Sequence, residues 1–285
     1  MTTSPSPGPI RTVRLPGGEG VPALGQGTWK MGERAALRPD EIAALRLGIE
    51  LGMTLLDTAE IYADGEAERI TGAAIEGQRD RVFLVSKAHP GHAGRTSLPK
   101  ACEASLRRLG TDRIDLYLLH WMGSTPLEET VAAFETLRRA GKIRHWGVSN
   151  LDTAEMAALV AAGGADCATN QILYSLEARG AEFDLLPWQA ARKMPFMAYC
   201  PVLQGRAQQS GPLVEIATRH GVTPLQVALA WVLRRPDAIA IPKATRPEHV
   251  RQNRAAADLV LSADDLAALD RAYPPPVRKV ALATV

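Results

Sequence analysis

The chain has 285 residues, of which 46% are hydrophobic and 22% are charged, so it is long enough to bury a large core, and we expect a single domain. Its 33 Lys and Arg residues barely exceed its 31 Asp and Glu residues, and they are scattered along the chain. This pattern excludes the basic patch that nucleic-acid-binding and membrane-binding proteins carry. We therefore expect a small-molecule partner, no nucleic acid, no membrane, and a monomer or weak oligomer.

The cysteines and the N-terminus indicate the compartment. Cys102, Cys167 and Cys200 are far apart, show no metal-ligand spacing and are odd in number, which is typical of a reducing compartment. Residues 1–9 are rich in Ser and Pro and lack the basic start and apolar stretch of a signal peptide, so we expect a flexible tail there. The sequence predicts a cytoplasmic protein with no disulfide, no bound metal and no membrane span.

Short apolar segments alternate with stretches of helical periodicity along the whole chain. The predicted strands are 24–28, 54–57, 82–87, 114–120, 145–149, 167–170, 196–199 and 238–241, and the predicted helices include 39–51, 97–109, 127–140, 153–161, 224–233 and 247–257. Glycine after helices and proline near helix starts agree with these bounds, as at Gly110 and Pro224. Eight strand-then-helix units predict an α/β protein with a (β/α)8 TIM barrel over residues 10–273 and a short tail over 274–285.

Polar residues follow several of the predicted strands, where a parallel barrel carries its active site. Asp57, Lys87 and His120 end three of them, and Tyr62 lies five positions beyond Asp57. Together these four residues predict a proton-donating site for the reduction of a carbonyl group. That reaction requires an acid for the developing oxyanion and a group that adjusts the acidity of that acid. An ammonium ~4 Å from a phenol contributes ~4 kcal/mol at an effective dielectric constant of 20, so we expect Lys87 to lower the pKa of Tyr62 from ~10.

In this hypothesis Asp57 holds Lys87 in place and keeps it charged, while His120 orients the substrate oxygen. Each residue also has a plainer interpretation, as a helix cap, a surface side chain or a core residue. Lys87 alone would also suit a Schiff-base aldolase. The combination with Asp57, Tyr62 and His120 favours reduction.

The motifs around these residues give the chain a family resemblance. It resembles the aldo-keto reductase family in Gly52-Met-Thr-Leu-Leu-Asp-Thr-Ala, Ile61-Tyr62, Ser86-Lys87, Leu119-His120-Trp121, Gly147-Val-Ser-Asn150 and Ile241-Pro-Lys243, all in family order. Within the family it is similar to small bacterial reductases of the methylglyoxal and 2,5-diketo-gluconate type. The resemblance implies NADPH-dependent reduction of small aldehydes, ketones or α-dicarbonyls, with NADH as a possible second cofactor, in a barrel without the Gly-x-Gly-x-x-Gly fingerprint of Rossmann domains.

The resemblance also implies a set of cofactor-binding residues. They are Thr28, Trp29, Asp57, Ser149, Asn150, Gln171, Tyr199, Pro201, Leu203, Gly205, Lys243, Ala244, Thr245, Arg246, His249 and Asn253. Ser149, Asn150 and Gln171 correspond to residues that bond the nicotinamide carboxamide, and Tyr199 corresponds to the aromatic residue on which the ring stacks.

Lys243 corresponds to the lysine that meets the adenosine 2′-phosphate, which favours NADPH. Two positions depart from the family pattern: Ala244 stands where Ser or Thr is usual, and His249 where Arg is usual. We therefore expect NADPH to be preferred, with reduced selectivity over NADH.

The expected substrate pocket consists of Trp29, Tyr62, His120 and Trp121, with Met122 beside them, and is apolar and aromatic. The tail after Tyr273 is too short for a long lid, so small substrates are expected. The alternative function is a nucleotide-sensing regulatory subunit with the same fold and little turnover.

Overall fold

A computed structural model describes residues 8–202 and 211–285. A short antiparallel hairpin, β1 (Thr12–Arg14) and β2 (Gly20–Pro22), precedes the main sheet. The main sheet contains eight parallel strands: β3 (Gln26–Gly27), β4 (Leu55–Asp57), β5 (Phe83–Ala88), β6 (Ile114–Leu119), β7 (Ile143–Ser149), β8 (Asn170–Leu173), β9 (Phe196–Tyr199) and β10 (Ala238–Ala240). Each of these strands pairs with the next along the chain.

The sheet closes on itself between its first and last strands. Leu24 pairs in parallel with Ala240, and the N–H of Gly25 donates to the carbonyl oxygen of Ala240 at 2.8 Å. Gly27 permits this approach because a Cβ there would lie 2.7 Å from the carbonyl oxygen of Ile241. The predicted single-domain (β/α)8 barrel is confirmed.

Helices surround the barrel. They are α1 (Arg38–Glu50), α2 (Glu66–Ile75), α3 (Ser97–Leu109), α4 (Leu127–Arg139), α5 (Thr153–Ala161), α6 (Leu185–Ala190), α7 (Pro212–His220), α8 (Pro224–Leu233), α9 (Pro247–Ala256) and α10 (Ala263–Ala272). Capping boxes begin α5 at Asp152 and α8 at Thr223, which satisfies the first free N–H groups of both helices. Among the described residues, no helix is both long enough and apolar enough to cross a bilayer.

The core has two parts, and together they direct polar chemistry to one end of the barrel. One part lies between the sheet and the helices. The other fills the barrel interior with side chains such as Leu55, Val85 and Leu118, and the β1–β2 hairpin contributes Val13 and Val21 to the same cluster. Because apolar side chains fill the barrel below the strand ends, the cavity and its polar groups lie at the carboxyl ends of the strands.

The sixth predicted strand was placed wrongly. It was expected at 167–170, but β8 begins at Asn170, so Asn170 starts a strand instead of ending one. Its side-chain amide donates to the carbonyl oxygen of Leu151 at 2.7 Å. The error arose because buried apolar residues lie both before the Thr169–Gln171 segment, at 167–168, and after it, at 172–173, and an apolar run does not set strand register by itself. The hairpin was also not predicted, since its three-residue strands are too short to give a periodic signal.

The predicted N-terminal tail, 1–9, lies outside the described residues except for its last two. The predicted C-terminal tail packs on the barrel: Lys279 forms an ion pair with Asp184 at 3.1 Å, and Leu282 packs against the core. This packing brings Thr284 and Val285 to the wall of the cavity.

Candidate active site

A cavity of about 1110 Å³ opens at the carboxyl ends of the strands. Ligand pockets commonly measure about 300–1000 Å³, so this cavity has room for an extended ligand together with a small one. Asp57, Tyr62 and His120 line it near its base, and Trp121 stands beside His120. The strand ends therefore bring the predicted catalytic residues together.

Lys87 lies beneath this group at the end of β5. Its side chain is 0% exposed, and its Nζ donates to Asp57 Oδ2 at 2.7 Å, to the carbonyl oxygen of Thr58 at 2.9 Å and to Tyr62 Oη at 3.2 Å. Burial lowers the pKa of Lys87, but the nearby Asp57 and Tyr62 outweigh burial and raise that pKa above its ordinary value. Lys87 is thus a charged donor at neutral pH, and all three of its protons are used within the chain.

Asp57 is fixed from two sides. Its Oδ2 accepts from Lys87, and its Oδ1 accepts from Gln171 Nε2 at 2.8 Å. Burial raises the pKa of Asp57, and the bonds from Lys87 and Gln171 offset only part of that rise. Gln171 was expected to meet the cofactor, but its link to Asp57, across 114 residues of chain, was not predicted.

The sequence hypothesis gave the wrong sign for the pKa of Tyr62. Burial raises this pKa above its ordinary value, and the Lys87 ammonium lowers it by less than burial raises it. The Asp57 charge adds to the rise. The phenol is therefore protonated at neutral pH. Since Tyr62 Oη accepts the bond from Lys87, the phenol's own proton remains available to another acceptor.

His120 faces Tyr62 across the base of the cavity. The two ring centroids are 5.6 Å apart and the rings are nearly perpendicular, at 73°. His120 is only 8% exposed, and burial, with the charge of Lys87 and the influence of His89, lowers its pKa to about 2. The imidazole is therefore neutral at physiological pH, and one of its nitrogens carries a proton that it can donate.

Ser149, Asn150 and Tyr199 form one hydrogen-bonded wall. Tyr199 Oη donates to Asn150 Oδ1 at 2.8 Å, and Asn150 Nδ2 donates to Ser149 Oγ at 3.1 Å and to the carbonyl oxygen of His120 at 3.2 Å. Ser149 Oγ donates to the carbonyl oxygen of Gln171 at 2.9 Å. These bonds hold Tyr199, which lines the cavity, in a fixed position.

Most of the remaining predicted residues also line the cavity: Trp29, Pro201, Lys243, Ala244, Thr245, His249 and Asn253. Two predicted residues do not. Thr28 is fully buried and its hydroxyl donates to the carbonyl oxygen of Asp57 at 3.0 Å, while Arg246 is exposed at the start of α9 and lies outside the cavity lining. Leu203 and Gly205 lie outside the described residues.

Sequence reasoning missed several cavity residues, including Lys30, Cys200, Gln252, Thr284 and Val285. Lys30 and Cys200 have positive φ angles, as do Ala63 and Asn150, which also line the cavity. A positive φ costs a non-glycine residue about 1–2 kcal/mol, and such strain gathers at functional sites. The strain at these positions depends on the backbone, and no residue type in the sequence marks it.

Comparisons with known proteins identify a family and relatives for this chain. The profile of the Aldo/keto reductase family matches residues 23–274. The methylglyoxal reductase YeaE of Escherichia coli K12 is 54% identical over 278 residues, covering 95% of this chain and 98% of that protein. The methylglyoxal reductase DkgB of Salmonella typhi is 33% identical over 258 residues, covering 88% and 93%. A crystal structure of an aldo/keto reductase from Klebsiella pneumoniae, in complex with NADP and acetate, has a TM-score of 0.95 at 56% identity and covers 97% of this chain and 100% of that one.

Proposed function

Because this chain belongs to the aldo/keto reductase family, as its motifs predicted, we propose that it reduces small aldehydes, ketones and α-dicarbonyls to alcohols with NADPH, using Tyr62 as the general acid. The chain is an NAD(P)H-dependent oxidoreductase of that family. The observation that supports the proposed acid is the 3.2 Å bond from Lys87 Nζ to Tyr62 Oη at the base of the cavity.

Each residue has one task in the proposed reaction. NADPH, when bound, supplies the hydride that adds to the carbonyl carbon. Negative charge then develops on the carbonyl oxygen, and Tyr62 transfers its proton to that oxygen. Lys87 stabilises the resulting phenolate, and Asp57 keeps Lys87 charged and fixed. Neutral His120 donates a hydrogen bond to the same carbonyl oxygen and so orients the substrate before the transfer.

The cavity fits an extended dinucleotide. Near Asp57, the flat ring of Tyr199 is held by Asn150, which suits stacking of a nicotinamide ring. Gln171 donates its Nε2 to Asp57, so Oε1 is the atom of its amide that would accept a carboxamide N–H. The exposed Lys243 and the half-buried Asn253 also line the cavity. A cation there favours the 2′-phosphate of NADPH.

The substrate end of the cavity supports small carbonyl compounds. Trp29, Trp121, Met122 and Ile61 give it apolar walls, and two relatives of this chain are methylglyoxal reductases. Methylglyoxal is a small α-dicarbonyl whose aldehyde oxygen can accept hydrogen bonds from the phenol of Tyr62 and the imidazole of His120, which lie side by side. We therefore place α-dicarbonyls first among the substrates.

A cytoplasmic location and a monomeric or weakly associated state belong to the same proposal. Cys102, Cys167 and Cys200 are free, as is typical of proteins from reducing compartments. Fractionation of the source cells and sedimentation of the purified protein test these two points.

The test compares the wild-type protein with Tyr62→Phe, with NADPH oxidation followed in the presence of methylglyoxal, benzaldehyde and a keto-sugar. We expect the wild type to turn over α-dicarbonyls, and Tyr62→Phe to lose ~10²- to 10⁴-fold in kcat, the usual contribution of a positioned general acid. The affinity for NADPH, measured by fluorescence titration, should stay nearly unchanged.

Tyr174→Phe is the matched control. It removes a buried phenol hydroxyl that bonds Glu182 Oε1 at 2.6 Å, away from the cavity, and should leave kcat unchanged. Near-normal turnover in Tyr62→Phe contradicts the proposed acid. A wild-type protein that binds NADPH but reduces no carbonyl compound contradicts the proposed activity and favours the regulatory-subunit alternative.

A further inference from the structure

Glu60 joins two loops at the mouth of the barrel although it lies outside the cavity lining. It follows β4, its side chain is 9% exposed, and its Oε1 accepts the backbone N–H of His89 at 2.6 Å and bonds His92 Nδ1 at 2.9 Å. Its own N–H donates to the carbonyl oxygen of Lys87 at 3.3 Å. One carboxylate oxygen therefore holds both ends of the turn that follows β5, a 3₁₀ turn at Pro90–His92.

This turn packs against Trp121, which forms part of the cavity wall. The ring of His89 packs edge-on against Trp121, with centroids 5.1 Å apart and an interplanar angle of 86°. Trp121 is 37% exposed, lines the cavity and packs beside His120 at 5.0 Å. The two loops touch closely, since a Cβ on Gly123 would lie 2.8 Å from Pro90.

We propose that Glu60 is a positioning residue for the carbonyl substrate, acting through His89 on Trp121. This inference rests on the proposed carbonyl reduction. A carboxylate forms stronger hydrogen bonds than a neutral acceptor, and a poorly exposed N–H that loses its acceptor is costly. Without Glu60 the 89–92 turn loses its hydrogen bonds to the loop after β4. The ring of His89 then no longer holds the ring of Trp121 in its position at the cavity. The chemical groups Asp57, Tyr62 and Lys87 keep their own contacts.

The test is a double-mutant cycle between Glu60 and Trp121, with KM and kcat measured for methylglyoxal and for the bulkier benzaldehyde. Glu60→Ala should raise KM for benzaldehyde ~10-fold, the equivalent of one lost hydrogen bond to a charged group. Its kcat and its NADPH affinity should change less than about threefold. In the Trp121→Ala background the same change should alter KM less than about twofold, because the residue through which Glu60 acts is already gone.

Two variants separate positioning from general stability. Glu60→Gln keeps an oxygen acceptor for the His89 N–H and should restore most of the wild-type KM. Glu135→Ala removes another partly buried carboxylate, one that accepts from Trp146 Nε1 at 2.7 Å away from the cavity, and should leave KM unchanged. A wild-type KM in Glu60→Ala, or an undiminished rise in KM in the Trp121→Ala background, overturns the inference.

Hydrogen exchange gives a readout that needs no turnover. Glu60→Ala should speed amide exchange in residues 89–92 and in 121–123, and faster exchange in 89–92 alone overturns the coupling to Trp121. If the wild type reduced no carbonyl compound, the proposed function would be wrong. The exchange result would still show whether Glu60 is coupled to Trp121. If Glu60→Ala does not fold, His89→Ala removes the supporting ring and keeps the backbone N–H, and it should raise KM to a similar extent; an unchanged KM overturns the inference.

Discussion

Two lysines at the cavity differ in burial. Lys87 is completely buried and donates hydrogen bonds to Asp57 Oδ2, to the carbonyl oxygen of Thr58 and to Tyr62 Oη. Lys243 is exposed on the loop between β10 and α9 and lines the cavity. We call its surroundings the exposed end of the cavity and those of Lys87 the buried end. Burial of an ion costs several kcal/mol unless it has close partners, so the buried lysine must be bound within the chain. An exposed lysine keeps its charge for a ligand.

The difference predicts which lysine can be removed without harm to the fold. In the proposed reaction, stability and catalysis are coupled at Lys87, because the partners that keep it charged are also the partners that it supports. They are separable at Lys243. The strongest test of this contrast replaces each lysine with methionine, which keeps most of the side-chain volume and removes the charge.

Lys87→Met should cause the largest combined loss. It leaves Asp57 as a buried carboxylate without its cation, which costs about 3–5 kcal/mol, and it removes the stabilisation of the Tyr62 phenolate, so kcat should fall by ~10²-fold or more. Urea unfolding and NADPH oxidation measure the two effects. Adding Asp57→Asn should recover part of the stability and none of the activity. Lys243→Met, the control, should change stability by less than about 0.5 kcal/mol.

A Lys87→Met protein as stable as the wild type would break the contrast between the two ends, since it would mean that the buried carboxylate does not need its ammonium. Unchanged kcat in that variant would separate Lys87 from the proposed chemistry.

Some features of the barrel and of the site are predictable from the sequence. The sequence predicted the barrel because eight apolar segments alternate with helical periodicity. It also predicted that Asp57, Lys87 and His120 lie near one another, because each ends one of those segments. The 97–109 and 153–161 helices match α3 and α5 residue for residue. Position along the chain was sufficient for these features.

The burial of side chains and the contacts between residues far apart in the chain were not predictable in the same way. The pKa of Tyr62 was expected to fall because the charge of Lys87 could be inferred, whereas the burial that outweighs it depends on every surrounding element. The Gln171–Asp57 bond joins residues whose strands are not neighbours in the sheet. The C-terminal residues Thr284 and Val285 reach the cavity through packing of the tail on the barrel, which the sequence does not signal.

At the exposed end, Lys243→Ala should weaken NADPH binding by ~10- to 100-fold, the loss of one charge-assisted contact, with little change for NADH. The loss should shrink as salt is added, because an exposed charge is screened. Titration of the protein with each nucleotide at low and high salt measures this, and Gln252→Ala on the same wall is a control without a charge change. Equal losses for NADPH and NADH would mean that Lys243 does not contact the 2′-phosphate.

At the buried end, His120 should give the protein a specific acid sensitivity. Its pKa is about 2 in the folded chain and about 6.5 in the unfolded chain. Between these values the unfolded chain binds more protons, so stability is lost as the pH falls below about 6.5. At pH 5 this loss amounts to about 2 kcal/mol.

His120→Gln removes the titrating group and keeps a polar side chain of similar length. Between pH 7.5 and pH 5, urea unfolding should therefore show about 2 kcal/mol less loss of stability in the variant than in the wild type. The difference between the two proteins cancels every other titrating group that the substitution leaves undisturbed. Identical pH dependence would show that the imidazole takes up a proton in the folded chain as easily as in water, and the buried end would then be open enough to solvate a charge, as the end at Lys243 is.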